Sequence, residues 1–438
     1  MSETRSSPAR SGLGPAQHRE MLALAALSLS ISIVTTLIAL GPGGLMELGA
    51  FFDGHFYIEI ARSFPLPYSA EGRDYLGQAP GFSALLFLMR LLTPDSLHWG
   101  LLALAATWLS GVAAVLAFYL ICLELDVPAF PAALTFLCLN PVWALVTSAA
   151  HPEPLAVTFA LLCFRAHLRG SLPWSVLWLS LLVLTRFPAV LLGGALAFDL
   201  LVVRRQLRVR TIAWLSLPLA VFALHNAYLY WRVPGFTGIW DVHQVHWVAE
   251  WTYPFAELIR QWSRMGESAL FQRPVVYGTA GFYLIAALLG LRRSEWGHWW
   301  LAIWVGAILL LHVSLSGAPG VQSFTRLAVL AWPAALLIAW RLLARPPPLP
   351  VLIATCIAAG SFGIYVSYQQ IRAAVYVQTL TLWMKPKLQS IGSDEPRWVD
   401  FKEIKDLDRV RLQRRLKRER SRLPPNPRPL SPGRSPVR

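Results

Sequence analysis

The chain alternates long apolar runs with short polar connections. A helix that crosses a bilayer needs about 20 consecutive, mostly apolar residues. Runs of this kind, several of them short, lie at residues 21–40, 98–122, 129–149, 154–168, 173–187, 188–203, 211–231, 275–291, 297–315, 325–343 and 349–368. The pattern predicts an all-α fold, a polytopic transmembrane helix bundle of about 10–12 spans.

Two stretches of this pattern need a separate interpretation. Residues 79–93 are apolar but barely long enough to cross, so we expect a helix that lies at the interface within the first outer loop. Residues 173–203 could form one long helix that is broken at Arg186-Phe187-Pro188, because proline interrupts a helix.

The composition agrees with a membrane protein. Charged residues make up 14% of the chain and hydrophobic residues 55%, whereas soluble proteins carry about 25% charged residues. The nineteen tryptophans are typical of aromatic belts at two membrane interfaces. We therefore expect an integral, multi-pass protein of the cell inner or plasma membrane, with membrane lipids as partners.

The basic residues are concentrated at the C-terminus. Residues 401–438 hold thirteen Lys and Arg but only four Asp and Glu, and they supply most of the net charge of +15. Such a tail favours anionic lipid headgroups over nucleic acid, so no nucleic-acid partner is expected. The predicted domains are a cytoplasmic N-terminal tail (1–20), a transmembrane domain (21–370) and a polar, basic, partly disordered C-terminal tail (371–438).

The orientation follows from the arginines in the short loops. With the N-terminus inside, the inner loops hold Arg165, Arg169, Arg204, Arg205, Arg208, Arg210, Arg292, Arg293, Arg341 and Arg345. Two long loops, 41–97 and 232–274, then lie outside. Long loops of a compact protein commonly carry function, so functional residues are expected there and at the outer helix ends.

Two carboxylates lie on the predicted outer side. Asp53 follows the first helix within an aromatic stretch that includes His55 and Tyr57, and partial desolvation there would raise the basicity of a carboxylate. Glu153, next to His151, lies at the outer start of a helix. The alternative for both is structural, since carboxylates also cap helix N-termini and suit the helix dipole.

Two arginines lie at outer membrane ends as well. Arg186 and Arg326 each occur in an apolar segment, where an arginine costs about 2.5–3.5 kcal/mol on insertion scales. One such residue could simply extend its charge to the interface. Two on the side that also carries two acids indicate an anion site, and the planar guanidinium group suits phosphate.

A metal site has little support in the sequence. His243 and His246 have a spacing that places both on one face of a helix, but no third ligand is evident. Nucleotide-binding loops and the H-E-x-x-H zinc motif are not found. We expect no cofactor, and a divalent metal stays an alternative without support.

The order of these features resembles the C-type (GT-C) integral-membrane glycosyltransferases, which use polyprenyl-phosphate sugars. It is similar to the PIG-V-like mannosyltransferases and to the protein mannosyltransferase and aminoarabinose transferase families. The residues that carry the resemblance are Phe52-Asp53 through Ile60-Ala61, Gln78 through Phe82, Asn140-Pro141 through Glu153, Thr185-Arg186-Phe187-Pro188, and Ser323 through Arg326 with Trp332-Pro333.

The resemblance implies a GT-C-like fold and a reaction. A sugar such as mannose would move, with inversion, from a polyprenyl-phosphate donor to a hydroxyl of a glycan, lipid or protein on the non-cytoplasmic side. Asp53 would be the general base, and Glu153 would orient a substrate or stabilise developing positive charge. Arg186 and Arg326 would hold the leaving phosphate, and His55, Tyr57 and His151 would line the site.

Two other functions stay open at this point. A transporter or flippase of lipid-linked intermediates would need charges or broken helices near the bilayer midplane, often within inverted repeats. A non-catalytic membrane protein of envelope biosynthesis would leave Asp53 and Glu153 far apart in the fold. The spatial arrangement of the two acids and the two arginines therefore discriminates among these functions.

Overall fold

The computed structural model describes residues 13–39, 45, 49, 53–64, 77–233, 236–247, 249–264, 272–292, 299–316, 324–343 and 345–389. The chain divides into two compact units, Met1–Arg372 and Ala373–Arg438. All contacts discussed below lie within the first unit.

The described secondary structure is helical, apart from one isolated bridge between Trp251 and Leu315. The helices of the N-terminal half are α1 (Pro15–Ile38), α2 (Gly54–Ser63), α3 (Gly81–Leu91), α4 (Trp99–Glu124), α5 (Ala129–Cys138), α6 (Pro141–Ser148), α7 (Glu153–Leu168), α8 (Leu172–Thr185) and α9 (Val190–Ala197). Those of the C-terminal half are α10 (Val209–Arg232), α11 (Ile239–Trp247), α12 (Ala256–Arg264), α13 (Gln272–Arg292), α14 (Trp299–Val313), α15 (Phe324–Leu327), α16 (Trp332–Leu342) and α17 (Leu349–Gln389).

Several described helices are long and apolar enough to cross a membrane. Six reach 18 residues or more, and a bent pair, α5 and α6, would make a seventh span. Shorter apolar helices fill other predicted segments, namely Gly81–Leu91, Leu172–Thr185, Phe187–Val203 and Trp299–Val313. The predicted all-α, multi-pass transmembrane bundle is confirmed.

The predicted span at 129–149 is bent in the structure. Helices α5 and α6 meet at an angle of 71°. Pro141 has no N–H to continue the helix, and the side chain of Asn140 accepts a hydrogen bond from the Val142 main chain and so begins a new helix. Apolar content alone could not show this bend.

The break considered for 173–203 is present. Helix α8 ends at Thr185, Arg186 has an extended main chain, and Phe187–Ala189 form a 3₁₀ turn before α9. Pro188 explains the interruption, since proline can donate no main-chain hydrogen bond. The break places Arg186 at a helix end.

Two glycines allow the first outer loop to pack closely against the bundle. A Cβ atom on Gly54 would lie 2.9 Å from Cβ of Ala150, and one on Gly81 would lie 2.6 Å from Oγ1 of Thr185. Because glycine has no side chain, α2 approaches the residues before α7, and α3 approaches the end of α8. These two contacts bring Asp53, which precedes α2, and Arg186, which follows α8, near each other.

Charged residues form ion pairs near the C-terminal ends of α4 and α7 and after α9. Glu124, the last residue of α4, accepts a hydrogen bond from Arg165 Nε at 2.7 Å. Asp199 Oδ2 is 2.7 Å from both Arg204 Nε and His167 Nε2. These residues belong to the predicted inner loops and to the helix ends beside them.

Helix α17 is longer than the apolar pattern predicts. Its apolar part ends at Gln369, close to the predicted end, but the helix runs on to Gln389. Residues 370–389 mix apolar residues with polar and charged ones, so they fall outside the apolar run although they continue the helix. The expected disorder of the C-terminal tail concerns residues outside the described ones after 389, and the predicted domain boundaries stay a prediction.

Candidate functional site

Four helix ends bring two carboxylates and two guanidinium groups together. Asp53 precedes α2, Glu153 begins α7, Arg186 follows α8 and Arg326 lies in α15. Arg326 Nη2 is 2.9 Å from Asp53 Oδ2, and its Nε is 3.3 Å from Glu153 Oε1. Arg186 Nη2 donates a hydrogen bond to the same Glu153 oxygen. We name these four residues the charged tetrad.

The tetrad has an accessible rim and a buried floor. The exposed fraction of the side chain is 19% for Asp53, 17% for Arg326 and 12% for Arg186. It is 1% for Glu153. Glu153 is therefore the buried member of the tetrad, while Asp53 and both guanidinium groups keep part of their side chains accessible.

The structure does not support helix capping as the role of these acids. Asp53 occupies the N-cap position of α2, but its side chain makes no capping hydrogen bond and pairs with Arg326 instead. Glu153 lies in the first turn of α7, where its charge suits the helix dipole, yet its Oε1 contacts both arginines. Both carboxylates are used for ion pairing.

His151 is fully buried beside the tetrad. Its Nδ1 is 3.5 Å from Arg326 Nη1 and 3.8 Å from Glu153 Oε2. Burial lowers the pKa of His151 to about 4, because the nearby cations reinforce desolvation and the acids only partly offset it. The imidazole is therefore neutral at pH 7 and adds no charge to the tetrad.

Tyr57 and His55 lie on α2 next to Asp53. The hydroxyl of Tyr57 donates a 2.7 Å hydrogen bond to Gln78 Oε1, and the ring packs edge-on against Phe82. Burial raises the pKa of Tyr57, so the phenol stays protonated. The ring of His55 lies 3.9 Å from that of Phe56, and His55 interacts electrostatically with Asp53. Their roles in substrate binding stay predictions.

The electrostatic balance keeps Asp53 ionised. Burial raises the pKa of Asp53, but Arg326, followed by Arg186, His151 and His55, holds the pKa of this carboxyl below its usual value. Two carboxylates and two guanidinium groups give the tetrad no net charge at neutral pH. Each charge is compensated, as buried charges require.

Two residues near the tetrad were not among the predicted site residues. Gln78 accepts a hydrogen bond from the Tyr57 hydroxyl, and His243 on α11 is hydrogen-bonded to the Gly77 main chain. His243 is close enough to Arg186 and Asp53 for their charges to affect it, and burial lowers its pKa to about 4. The sequence marked His243 through its spacing from His246, which indicated a metal site rather than a position beside the two acids and two arginines.

The histidine pair considered as a metal site is not seen as a metal cluster. His243 lies on α11, while the side chain of His246 is outside the described residues. Within the described part of the chain, no group of three His, Cys, Asp or Glu residues is placed to hold a metal ion.

Comparison with known proteins finds similarity among solved structures. No protein-family profile matches the chain, and no curated protein matches it. Among solved structures, the chain is similar to the crystal structure of ArnT from Cupriavidus metallidurans bound to undecaprenyl phosphate. The TM-score is 0.47 and the sequence identity 17%, over 91% of this chain and 72% of ArnT.

Proposed function

We propose that this protein is a membrane glycosyltransferase. It moves a sugar, mannose or a similar one, from a polyprenyl-phosphate donor to an acceptor hydroxyl on the outer side of the membrane, with inversion. The observation that carries the proposal is the charged tetrad, in which two carboxylates and two guanidinium groups from separate helix ends lie within ion-pair distance of one another.

The two arginines suit the phosphate of such a donor. Both are only slightly exposed, so hydrogen bonds from them to a phosphate are stronger than they would be in water. Each guanidinium group can donate two parallel hydrogen bonds to phosphate oxygens. They would hold the donor and offset the charge that grows on the leaving phosphate.

Asp53 suits the general base. It is the more accessible of the two acids and is ionised at neutral pH. As the acceptor oxygen attacks the anomeric carbon, Asp53 would take the hydroxyl proton. The departing phosphate needs no proton, so inversion requires no separate acid.

Glu153 suits a supporting role rather than substrate contact. It is almost fully buried and touches both arginines. We therefore assign it to positioning the two guanidinium groups. The neutral imidazole of His151 and the Tyr57–Gln78 pair would line the space beside them.

The test is a transfer assay in proteoliposomes with polyprenyl-phosphate mannose, glucose and arabinose as donors. Wild type is expected to transfer one of these sugars. Asp53→Asn is expected to lose about 10²–10⁴-fold in rate, the usual contribution of a general base. Asp95→Asn is the matched control, because Asp95 is an exposed carboxylate of the same predicted outer loop.

Two results would contradict the proposal. Near wild-type transfer by a folded Asp53→Asn variant would remove Asp53 as the base. Movement of the intact lipid-linked sugar across the bilayer without transfer would favour a flippase. The four tetrad residues lie at or beside helix ends, whereas a transporter would need such charges near the bilayer midplane.

A further inference from the structure

The two acids of the tetrad differ in the number of arginines with which they form ion pairs. Glu153 contacts both Arg186 and Arg326. Among the described residues, Asp53 forms an ion pair with Arg326 alone. Arg326 is thus the shared cation, and losing it would leave Glu153 with a partner but Asp53 without one.

A phosphate that enters this site changes the charge balance. Without substrate the tetrad is neutral, so an added monoanionic phosphodiester leaves one surplus negative charge in a mostly buried place. Surplus negative charge near a carboxylate favours its protonated form. Asp53 is the group that responds, because Glu153 is deeper and keeps Arg186.

We propose that Arg326 couples donor binding to the basicity of Asp53. The donor phosphate binds Arg326 in place of Asp53. Because Asp53 then loses its ion pair, it binds a proton more tightly. Asp53 is therefore a weak base in the free protein and an effective one only when the donor is in place. The proposal rests on the proposed function, since it assumes a phosphate at Arg326.

The transfer step is balanced in charge. The acceptor O–H bond breaks and its proton moves to Asp53, while the acceptor oxygen bonds to the anomeric carbon. The bond from that carbon to the phosphate oxygen breaks, and its electron pair stays on the phosphate, which changes from a monoanion to a dianion. Asp53 becomes neutral in the same step, so the total charge is unchanged and Arg326 stays with the negative charge.

Other charged or titratable groups face Asp53, and the histidines and Glu153 among them could take a proton instead. Those with an electrostatic interaction with Asp53 are Arg186, Arg326, His55, His151, His243, Glu153 and Tyr57. Of these, His151 is the main competitor, because it is neutral, buried and within 4 Å of two tetrad members. The experiment therefore includes a His151 variant.

The experiment measures protons taken up when a phosphodiester binds. The probe is a polyprenyl methyl phosphodiester, which carries one negative charge and does not titrate between pH 5 and 7. Calorimetric titration of the full chain in nanodiscs, in two buffers with different ionisation enthalpies, gives the number of protons bound. The variants are Asp53→Asn, Arg326→Gln and His151→Gln, and Asp95→Asn is the matched control.

Wild type and Asp95→Asn are expected to take up protons, in an amount that rises as the pH falls from about 7 to about 5.5. Asp53→Asn is expected to take up none and to bind the probe several-fold more tightly, because Arg326 no longer has a competing partner. Arg326→Gln is expected to bind more weakly and to lose most of the uptake. His151→Gln is expected to keep it.

The outcomes separate this proposal from the proposed function. If wild type does not bind the probe, the phosphate site is wrong and both proposals fail. If wild type binds it without proton uptake, the coupling is wrong while the phosphate site stands. Uptake that persists in Asp53→Asn and disappears in His151→Gln assigns the proton to His151 and overturns the coupling through Asp53.

Discussion

At the scale of single residues, burial separates two acids that look alike in the sequence. Asp53 and Glu153 both lie at helix ends, and both pair with Arg326. Asp53 keeps a fifth of its side chain accessible, whereas Glu153 has almost none. We therefore expect substitutions of Asp53 to affect chemistry and substitutions of Glu153 to affect stability as well.

Glu153→Gln is expected to destabilise the protein. Removing one member of a buried ion pair costs about 3–5 kcal/mol, because its partner is left uncompensated. Thermal unfolding in detergent, followed by tryptophan fluorescence, should show a larger loss for Glu153→Gln than for Asp53→Asn. The double variant Glu153→Gln, Arg186→Gln should recover part of it, and a double variant less stable than the single one would contradict this.

Stability should depend on the ionisation of Asp53 at acidic pH. The pKa of Asp53 is lowered in the folded protein, so the ionised carboxylate contributes stability above its unfolded pKa, which is about 3.9. That contribution is lost as the pH falls through the lower folded pKa. The stability difference between wild type and Asp53→Asn should therefore be constant from about pH 5 to 7 and shrink below about pH 4. A difference that grows on acidification would contradict the assignment.

At the scale of elements, the site depends on how closely the first outer loop approaches the bundle. Helix α3 begins at Gly81, directly against Thr185 and Leu184 at the end of α8. Arg186 follows at once. The position of this guanidinium group is therefore coupled to a contact that only glycine permits.

Gly81→Ala is expected to displace α3 from α8. The new Cβ would lie 2.6 Å from Thr185 Oγ1 and 2.8 Å from the Leu184 carbonyl oxygen, so main chain must move. Overpacking of this kind costs about 1–3 kcal/mol of folding stability. The rate of sugar transfer and the midpoint of thermal unfolding should therefore both fall. Gly194→Ala is the matched control within a helix, because nothing lies within 4 Å of its added Cβ. Equal midpoints for the two variants would contradict the close approach.

The sequence predicted the helices better than their bends. Apolar runs coincide with α1, α4, α10 and α13 because a span must satisfy all its main-chain hydrogen bonds internally and so must be helical. The same reasoning did not predict the 71° bend between α5 and α6. A bend depends on local features, here the missing N–H of Pro141 and the capping side chain of Asn140, rather than on the length of the apolar run.

The candidate site was only partly accessible to such reasoning. Asp53, Glu153, Arg186 and Arg326 are marked in the sequence because charges in apolar surroundings are costly. Their pairing is not marked, since it depends on how four helix ends pack. Gln78 and His243 carry no such cost signal, and they join the site only through tertiary contacts.

At the scale of the whole molecule, two groups of paired charges among the described residues lie at opposite ends of α7. One group is the tetrad. The other contains Glu124 with Arg165 and Asp199 with Arg204. Helix α7 reaches both, with Glu153 at its start and Arg165 near its end. If the arginine-rich group lies on the predicted cytoplasmic side, the proposed chemistry at the tetrad would take place on the other side.

The central claim is that the tetrad holds a lipid-linked phosphate. Its most direct test is the affinity of purified protein for a short-chain polyprenyl phosphate, for wild type, Arg186→Gln, Arg326→Gln and the exposed control Arg62→Gln. A hydrogen bond to a charged group is worth about 1.5–3 kcal/mol, so each tetrad variant should bind about 10–100-fold more weakly. The control should match wild type. Equal affinity for all four proteins would contradict the account.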